Sequence, residues 1–206
     1  MKENSFIIKR GLFDNNSREL IIHPEYLSFE EKDKYNDLIT IFKKEEIISY
    51  KYGVKWYTFY LTYAREYQIH ILNKEHQVIK IDFTNYFGNK KKESFKKYVD
   101  IIESLWINYF EEIAKKLYDD FNSNEEVKLN NILFTKDYIE INNSKLISKN
   151  NVKIEWKNVK VKNYQTYFCI YSSENPAKTN FTFNYLNDWN VDIIYSLTNS
   201  ILKNLT

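Results

Sequence analysis

The sequence predicts an α+β protein made of two consecutive copies of one small fold, each a strongly bent antiparallel sheet closed by a C-terminal amphipathic helix. Two observations carry this. Val99-Asp100-Ile101-Ile102-Glu103-Ser104-Leu105 returns as Val191-Asp192-Ile193-Ile194-Tyr195-Ser196-Leu197, identical but for one residue, each time after a strand-rich stretch. In both halves the hydrophobic period changes from two to three and four near the end, the mark of strands giving way to a helix. With 206 residues the chain is long enough for two domains of about 100 residues with cores of their own. We place them at 1–121 and 122–206.

Along the first half, Leu20 to Phe29 reads as a strand pair turning at His23-Pro24-Glu25, followed by a polar hairpin-like stretch from Glu30 to Lys34. Ile39 to Phe42 and Ile47 to Tyr50 are short apolar strands. Val54 to Tyr63 reads as one long aromatic strand, with Trp56, Thr58, Tyr60 and Thr62 on one face and Tyr57, Phe59, Leu61 and Tyr63 on the other. Both faces are apolar enough to be covered. Tyr67 to Leu72 and Gln77 to Phe83 follow, joined by the turn residues Asn73 to His76.

After Gly88 the stripe Phe95, Tyr98, Val99, Ile102, Leu105, Trp106, Tyr109, Phe110, Ile113 and Leu117 marks a helix from about Lys92 to Asp119. At 1.5 Å per residue it would be roughly 40 Å long, more than one small sheet needs, so its second half is expected to pack on the second copy and fix the two halves in orientation. Asn122 to Glu126 is polar and turn-prone and reads as the linker. Ile132 to Phe134, Tyr138 to Ile141, Val152 to Trp156, Val159 to Lys162, Tyr164 to Tyr171 and Thr179 to Tyr185 then read as strands. Asn187-Asp188 offers an N-cap for a last helix striped by Val191, Ile194, Leu197, Ile201, Leu202 and Leu205.

Local matches support the duplication. Glu25 to Phe29 lines up with Asp137 to Ile141. Ile41-Phe42-Lys43 matches Ile154 to Lys157 with one gap, and Asp82 to Phe87 resembles Asn180 to Leu186. Trp106 and Trp189, in or beside the terminal helices, should be buried.

Composition removes several function classes. Three glycines and two prolines exclude a Gly-rich phosphate loop of the Walker or Rossmann kind. A net charge of +2 gives no field for steering toward nucleic acid, which disfavours that partner. The single cysteine, Cys169, can form neither an intramolecular disulfide nor a Cys-rich zinc site. It reads as a buried structural thiol. No signal-peptide run opens the sequence and no 18-residue apolar stretch occurs, so the expectation is a cytoplasmic protein without a transmembrane segment. The high aromatic share, 17%, is read first as strand surface cover, since the rings are spread along the chain.

Short antiparallel strands ending in one amphipathic helix resemble the pleckstrin-homology-like (PH-like) fold, in particular tandem bacterial domains of that class. The residues carrying the resemblance are Glu25 to Phe29, Ile154-Glu155-Trp156-Lys157-Asn158-Val159 and the helices beginning near Lys92 and Asp188, covering about residues 18 to 205. The resemblance implies a partly open barrel plugged by a helix, and binding or assembly modules without shared catalytic apparatus. Lipid-reading members are similar to one another in a basic first hairpin. Here that hairpin holds Glu30, Glu31, Lys32, Asp33 and Lys34 in one copy and Asn142, Asn143, Ser144 and Lys145 in the other, so phosphoinositide binding by that route is not expected.

The densest charge is Lys90, Lys91, Lys92, Lys96 and Lys97 at the head of the long helix. Cations there oppose the helix dipole, which raises an anionic membrane surface or lipid as a contact; the plainer reading is a solvated loop. His23, His70 and His76 lack the carboxylate pattern of a metal site, and His70 reads as an outward polar strand position. The doublets Glu45-Glu46, Glu111-Glu112, Asp119-Asp120 and Glu125-Glu126 point in different directions and read as surface charge. No catalytic, cofactor or metal residue is expected. The sequence therefore points to a non-catalytic protein-binding or self-associating scaffold, with peripheral membrane binding through the lysines as the alternative and an enzyme of unrecognised type third.

Overall fold

The computed structural model describes residues 3–11, 14, 16–33, 36–59, 62–86, 91–123, 126–143 and 150–205. The chain forms two compact units, Met1–Glu112 and Ile113–Thr206. The division falls inside the long helix because Leu117, Tyr118 and Phe121 pack in the core of the second unit.

In the first unit β1 (Asn4–Ile8), β2 (Arg18–Ile22), β3 (Tyr26–Asp33) and β4 (Asn36–Lys43) make an antiparallel sheet in that order. A 3-10 turn, Lys44–Glu46, leads to β5 (Ile47–Phe59), β6 (Thr62–Asn73) and β7 (Val78–Tyr86), a three-stranded sheet. Alternation decides which side chains face in: Leu20, Ile22, Leu27 and Phe29 from one sheet and Tyr67, Ile69, Ile71, Ile79, Ile81 and Phe83 from the other are buried. Helix α1 (Lys91–Leu105) covers them with Tyr98, Ile101 and Leu105.

A π turn, Trp106–Phe110, separates α1 from α2 (Glu111–Asn122). The expected single stripe breaks there. One extra residue in the turn brings Asn108, Tyr109 and Phe110 inward together, at 2%, 1% and 0% exposure, which a 3.6 period cannot do. Phe110 stacks on Tyr50 with centroids 3.7 Å apart.

The second unit repeats the order. β8 (Val127–Leu129), β9 (Ile132–Phe134), β10 (Tyr138–Asn143) and β11 (Asn150–Glu155) form one sheet, a 3-10 turn covers Trp156–Asn158, and β12 (Val159–Asn163), β13 (Tyr167–Ser172) and β14 (Asn180–Asn184) form the other, before α3 (Val191–Leu205). The architecture is α+β, four antiparallel sheets with a long and a C-terminal helix.

Backbone hydrogen bonds align the units more firmly than side chains do. Lys44 N–H donates to the Glu25 carbonyl as Trp156 N–H does to that of Asp137, and Lys74 N–H donates to Glu46 as Ser173 N–H does to Asn158. Ladder pairs agree: Leu20 faces Phe29 as Ile132 faces Ile141, and Leu27 faces Phe42 as Ile139 faces Ile154. Positions 18–46 thus map on 130–158 at a constant spacing (25 to 137, 44 to 156). Phe42 therefore matches Ile154, one residue off the match read from sequence. Farther on, Phe83 stacks on Tyr67 and Phe183 on Phe168 with identical geometry, 5.1 Å and 22°. Phe83 accordingly corresponds to Phe183, not to Phe181.

Several local readings change. Val54 to Tyr63 is not one strand: β5 runs unbroken from Ile47 to Phe59, Thr62 and Tyr63 open β6, and Tyr60 and Leu61 lie outside the described residues. Glu30 to Asp33 belong to β3, because their ladder with β4 continues to Asp33 and Asn36. The seven-residue identity falls on the last turns of α1 but the first turns of α3. Ring contacts place Tyr98, against Tyr67, as the counterpart of Tyr195, against Phe168. α3 starts after Asn190, whose φ of 57° stops the helix from reaching Asp188. Asp188 instead accepts the Asn184 amide at 2.8 Å. Trp106 and Trp189 are half-buried, and the buried tryptophan is Trp156.

Candidate functional site

The lysine cluster comes only partly together. Lys90 and the side chain of Lys91 lie outside the described residues. Lys92 is exposed, and Lys96 is exposed while pairing with Asp100 one turn on at 2.6 Å. Lys97 is half-buried and donates to the Ile7 carbonyl at 2.8 Å. Its charge is used within the first unit. Phe95, between the exposed lysines, is 53% exposed.

His70 faces outward on β6 and meets Asp82 at 3.2 Å, while His76 sits in the β6–β7 turn with φ 62° and His23 stacks on Tyr26. Among the described residues no group of three His, Cys, Asp or Glu could hold a metal ion. Cys169 is buried beside the Thr182 hydroxyl. Burial, then the Asp192 charge, pushes the Tyr185 hydroxyl, which donates to the Asn163 side-chain oxygen at 3.0 Å, up to about 12. These are structural surroundings.

The surface that departs from a solvated fold is the edge strand β4. It pairs only with β3 in its sheet, and Leu38, Ile39 and Ile41 are 59%, 58% and 59% exposed. Phe42 turns into the core while Ile39 and Ile41 face the other way, opposite Glu30 and Ser28. Ile41 and Lys43 also wall an open hollow of about 510 Å³ with Glu25, Tyr26 and Glu45. Proteins ordinarily blunt such an edge with charge.

The second unit does so at the same positions. By the shared register, Ile39 corresponds to Asn151 and Ile41 to Lys153 on β11. There Asn151 donates to Glu140, and Lys153 lies 3.4 Å from Glu140 and over the Tyr138 ring. The Tyr138 hydroxyl first, then Glu140, hold the Lys153 ammonium above its usual range. One fold thus presents a polar edge in one copy and an aliphatic edge in the other.

A second exposed patch lies toward the tip of the β5–β6 hairpin. Trp56 is 55% and Tyr63 44% exposed, and the Arg65 guanidinium lies 4.0 Å from the Trp56 ring and 5.8 Å from that of Tyr63. The sequence reading that both faces of this strand are covered is corrected here. β5 and β6 pair over many more residues than β12 and β13, so their outer rungs carry the core face past the residues that could cover it. Period-two alternation gives the face of a strand and not the extent of the layer above it.

No protein-family model matches this chain, and neither a curated protein nor a solved structure is significantly similar to it. No helix among the described residues is long and apolar enough to cross a membrane.

Proposed function

We propose that the chain is a non-catalytic, cytoplasmic scaffold of two PH-like modules that acts through protein–protein contacts, pairing with a second copy of itself along β4. The four-plus-three strand order with a following helix in each unit supports the PH-like reading. The observation that carries the function is the aliphatic edge of β4, set against the polar edge of β11 at equivalent positions. The occupant follows from the strand's near-palindromic order, Leu38-Ile39-Thr40-Ile41-Phe42. An antiparallel pair centred on Thr40 sets Ile39 against Ile41 and Leu38 against Phe42, and puts the acidic position 37 opposite Lys43. Such isologous strand addition satisfies the free backbone groups of both edges.

Sedimentation velocity over a concentration series tests it. The native chain is expected to shift from one to two copies, and the variant Ile39→Asn/Ile41→Lys, which installs the residues of the second unit, to stay a monomer. A monomeric native chain at all concentrations, or a double variant that still dimerises, defeats the reading. The exposed Phe95 between Lys92 and Lys96 favours a second reading, contact with an anionic membrane surface. Co-sedimentation with anionic and neutral vesicles decides it: binding should need anionic lipid and disappear with Lys92→Glu/Lys96→Glu.

A further inference from the structure

The two units differ in how they close one corner of the fold. In the first, β1 and β2 are joined by residues 9–17. The Arg10 carbonyl on that connection accepts the Thr84 amide of β7 at 2.9 Å, and a Cβ on Gly11 would lie 3.6 Å from the Tyr86 ring. Arg18, where the connection ends, is 1% exposed and pairs with Asp14 at 2.7 Å. The unit's own chain thus meets the outer edge of β7 at Thr84 and Tyr86.

In the second unit the corresponding strands, β8 and β9, are joined by Asn130 and Asn131 alone. The corner where Arg10 and Gly11 meet β7 in the first unit is matched here by a cavity of about 490 Å³, within the range of ligand sites. The turn, Asn142 of β10, the β14 edge from Asn180 to Phe183, and Asp188 and Trp189 line it. β14 pairs only with β13 in its sheet. The Thr179 carbonyl accepts from Ser172 N–H on the β13 side, so alternation sends the backbone groups of Asn180 and Thr182 the other way, into the corner. The Asn142 side-chain oxygen is buried there with no hydrogen-bond partner among the described residues. Among the described lining residues there is no lysine or arginine, and Asp188 is the one charge.

We propose that this corner binds an extended peptide segment of a partner protein, uncharged or basic, which adds to the β14 edge as a strand and donates a hydrogen bond to Asn142. Free strand-edge groups give such a site its affinity, and the amides and the Trp189 ring choose among side chains. An anionic or acidic segment does not fit, since Asp188 would face it unopposed. In the first unit a segment of chain, Lys9-Arg10-Gly11, meets the equivalent edge one step farther along, at Thr84, whose counterpart amide, Asn184, is taken here by Asp188; the groups left for a partner are those of Asn180 and Thr182. The proposal rests on the reading of the chain as a protein-binding module but uses a different strand, in the other unit.

The test is a titration of the full ¹⁵N-labelled chain with the acetylated and amidated peptide Phe6-Ile7-Ile8-Lys9-Arg10-Gly11, followed by amide NMR. Shifts should appear at Asn180, Thr182, Asn142 and the Trp189 indole, half-saturating at about 1 mM, the affinity scale of a short flexible segment. A peptide with Glu at both basic positions should bind more weakly. Asn180→Pro removes one edge donor, and Asn142→Leu removes the buried oxygen; each should weaken binding about fivefold to tenfold, the worth of one hydrogen bond. Asn142→Leu should fold at least as well as the native chain, because it deletes an unsatisfied buried group, so lost binding there cannot be blamed on unfolding. Absence of shifts at β14, or native affinity in Asn142→Leu, overturns the proposal. Peptide binding that persists while the chain remains monomeric would sink only the β4 reading, whereas dimerisation without β14 shifts would sink only this one.

Discussion

Replacing Tyr109 by Phe removes one oxygen from the middle of the first unit and should cost more at neutral pH than at pH 11. Tyr109 is 1% exposed on the π turn, and its hydroxyl lies 2.7 Å from the carbonyls of both His23 and Tyr26. Both carbonyls keep a backbone donor, since His23 and Tyr26 also bond to each other through the turn. The loss is therefore one shared hydrogen bond and no stranded group, about 1–2 kcal/mol. For a unit of this size that lowers Tm by roughly 5–10 °C. Burial, with the neighbouring Tyr26 adding to it, raises the Tyr109 hydroxyl well above the ordinary tyrosine range.

The sign follows from linkage. The unfolded chain releases this proton near pH 10 while the folded chain keeps it. The contribution is thus complete below pH 10 and declines above it, by at most about 1.4 kcal/mol per pH unit and less for partial solvation. Tyr109→Phe lacks the group, so the stability gap between native and variant should be widest at pH 8 and close by about pH 11. Urea denaturation of both proteins at pH 8, 9, 10 and 11 measures the gap directly. A variant as stable as the native chain at pH 8, or a gap unchanged to pH 11, would refute the role given to the hydroxyl.

In the second unit Trp156 Nε1 donates at 2.7 Å to the Thr135 carbonyl, the counterpart of His23, and Trp156→Phe should cost about 2–3 kcal/mol from the lost bond and incomplete refilling; a neutral result by urea melt would mean the turn needs no such donor. Arg18→Met should destabilise by about 3 kcal/mol by breaking the pair with Asp14, and a thermal melt within a degree of native would refute it. Despite its desolvation, hydrogen bonds from Asn16 and Arg18 hold the Asp14 carboxyl below its usual range, so its stabilisation is present above about pH 4 and lost as pH falls through the lowered value. Acid titration of native and Arg18→Met chains should therefore converge at low pH. Ile39→Asn/Ile41→Lys should change the stability of the isolated chain by no more than about 0.5 kcal/mol, because both side chains are already exposed; a larger loss would show that the edge is packed rather than presented.

Much of the local structure follows from the sequence alone. Period two with turn residues at Pro24, Asn73 and Asn187 marks strands and their breaks, and a three-and-four stripe marks the helices, because these depend on neighbours along the chain. That the fold is duplicated was also legible, although the clearest identity fell on non-equivalent turns of two helices. The true correspondence, 18–46 on 130–158, preserves almost no residues and lives in the backbone hydrogen bonds, which any suitable side chains can accompany.

Tertiary structure decided which apolar side chains and strand edges stay exposed. Ile39 to Phe42 reads as a short apolar strand, but alternation cannot say that β4 is an edge or that Ile39 and Ile41 lie exposed on it. Trp56 is exposed because β5 and β6 outrun what covers their inner face. The corner beside β14 is open because a connection spanning 9–17 in one unit shrinks to Asn130-Asn131 in the other. Each depends on the distance between segments far apart in sequence, and a linear pattern carries no record of that distance.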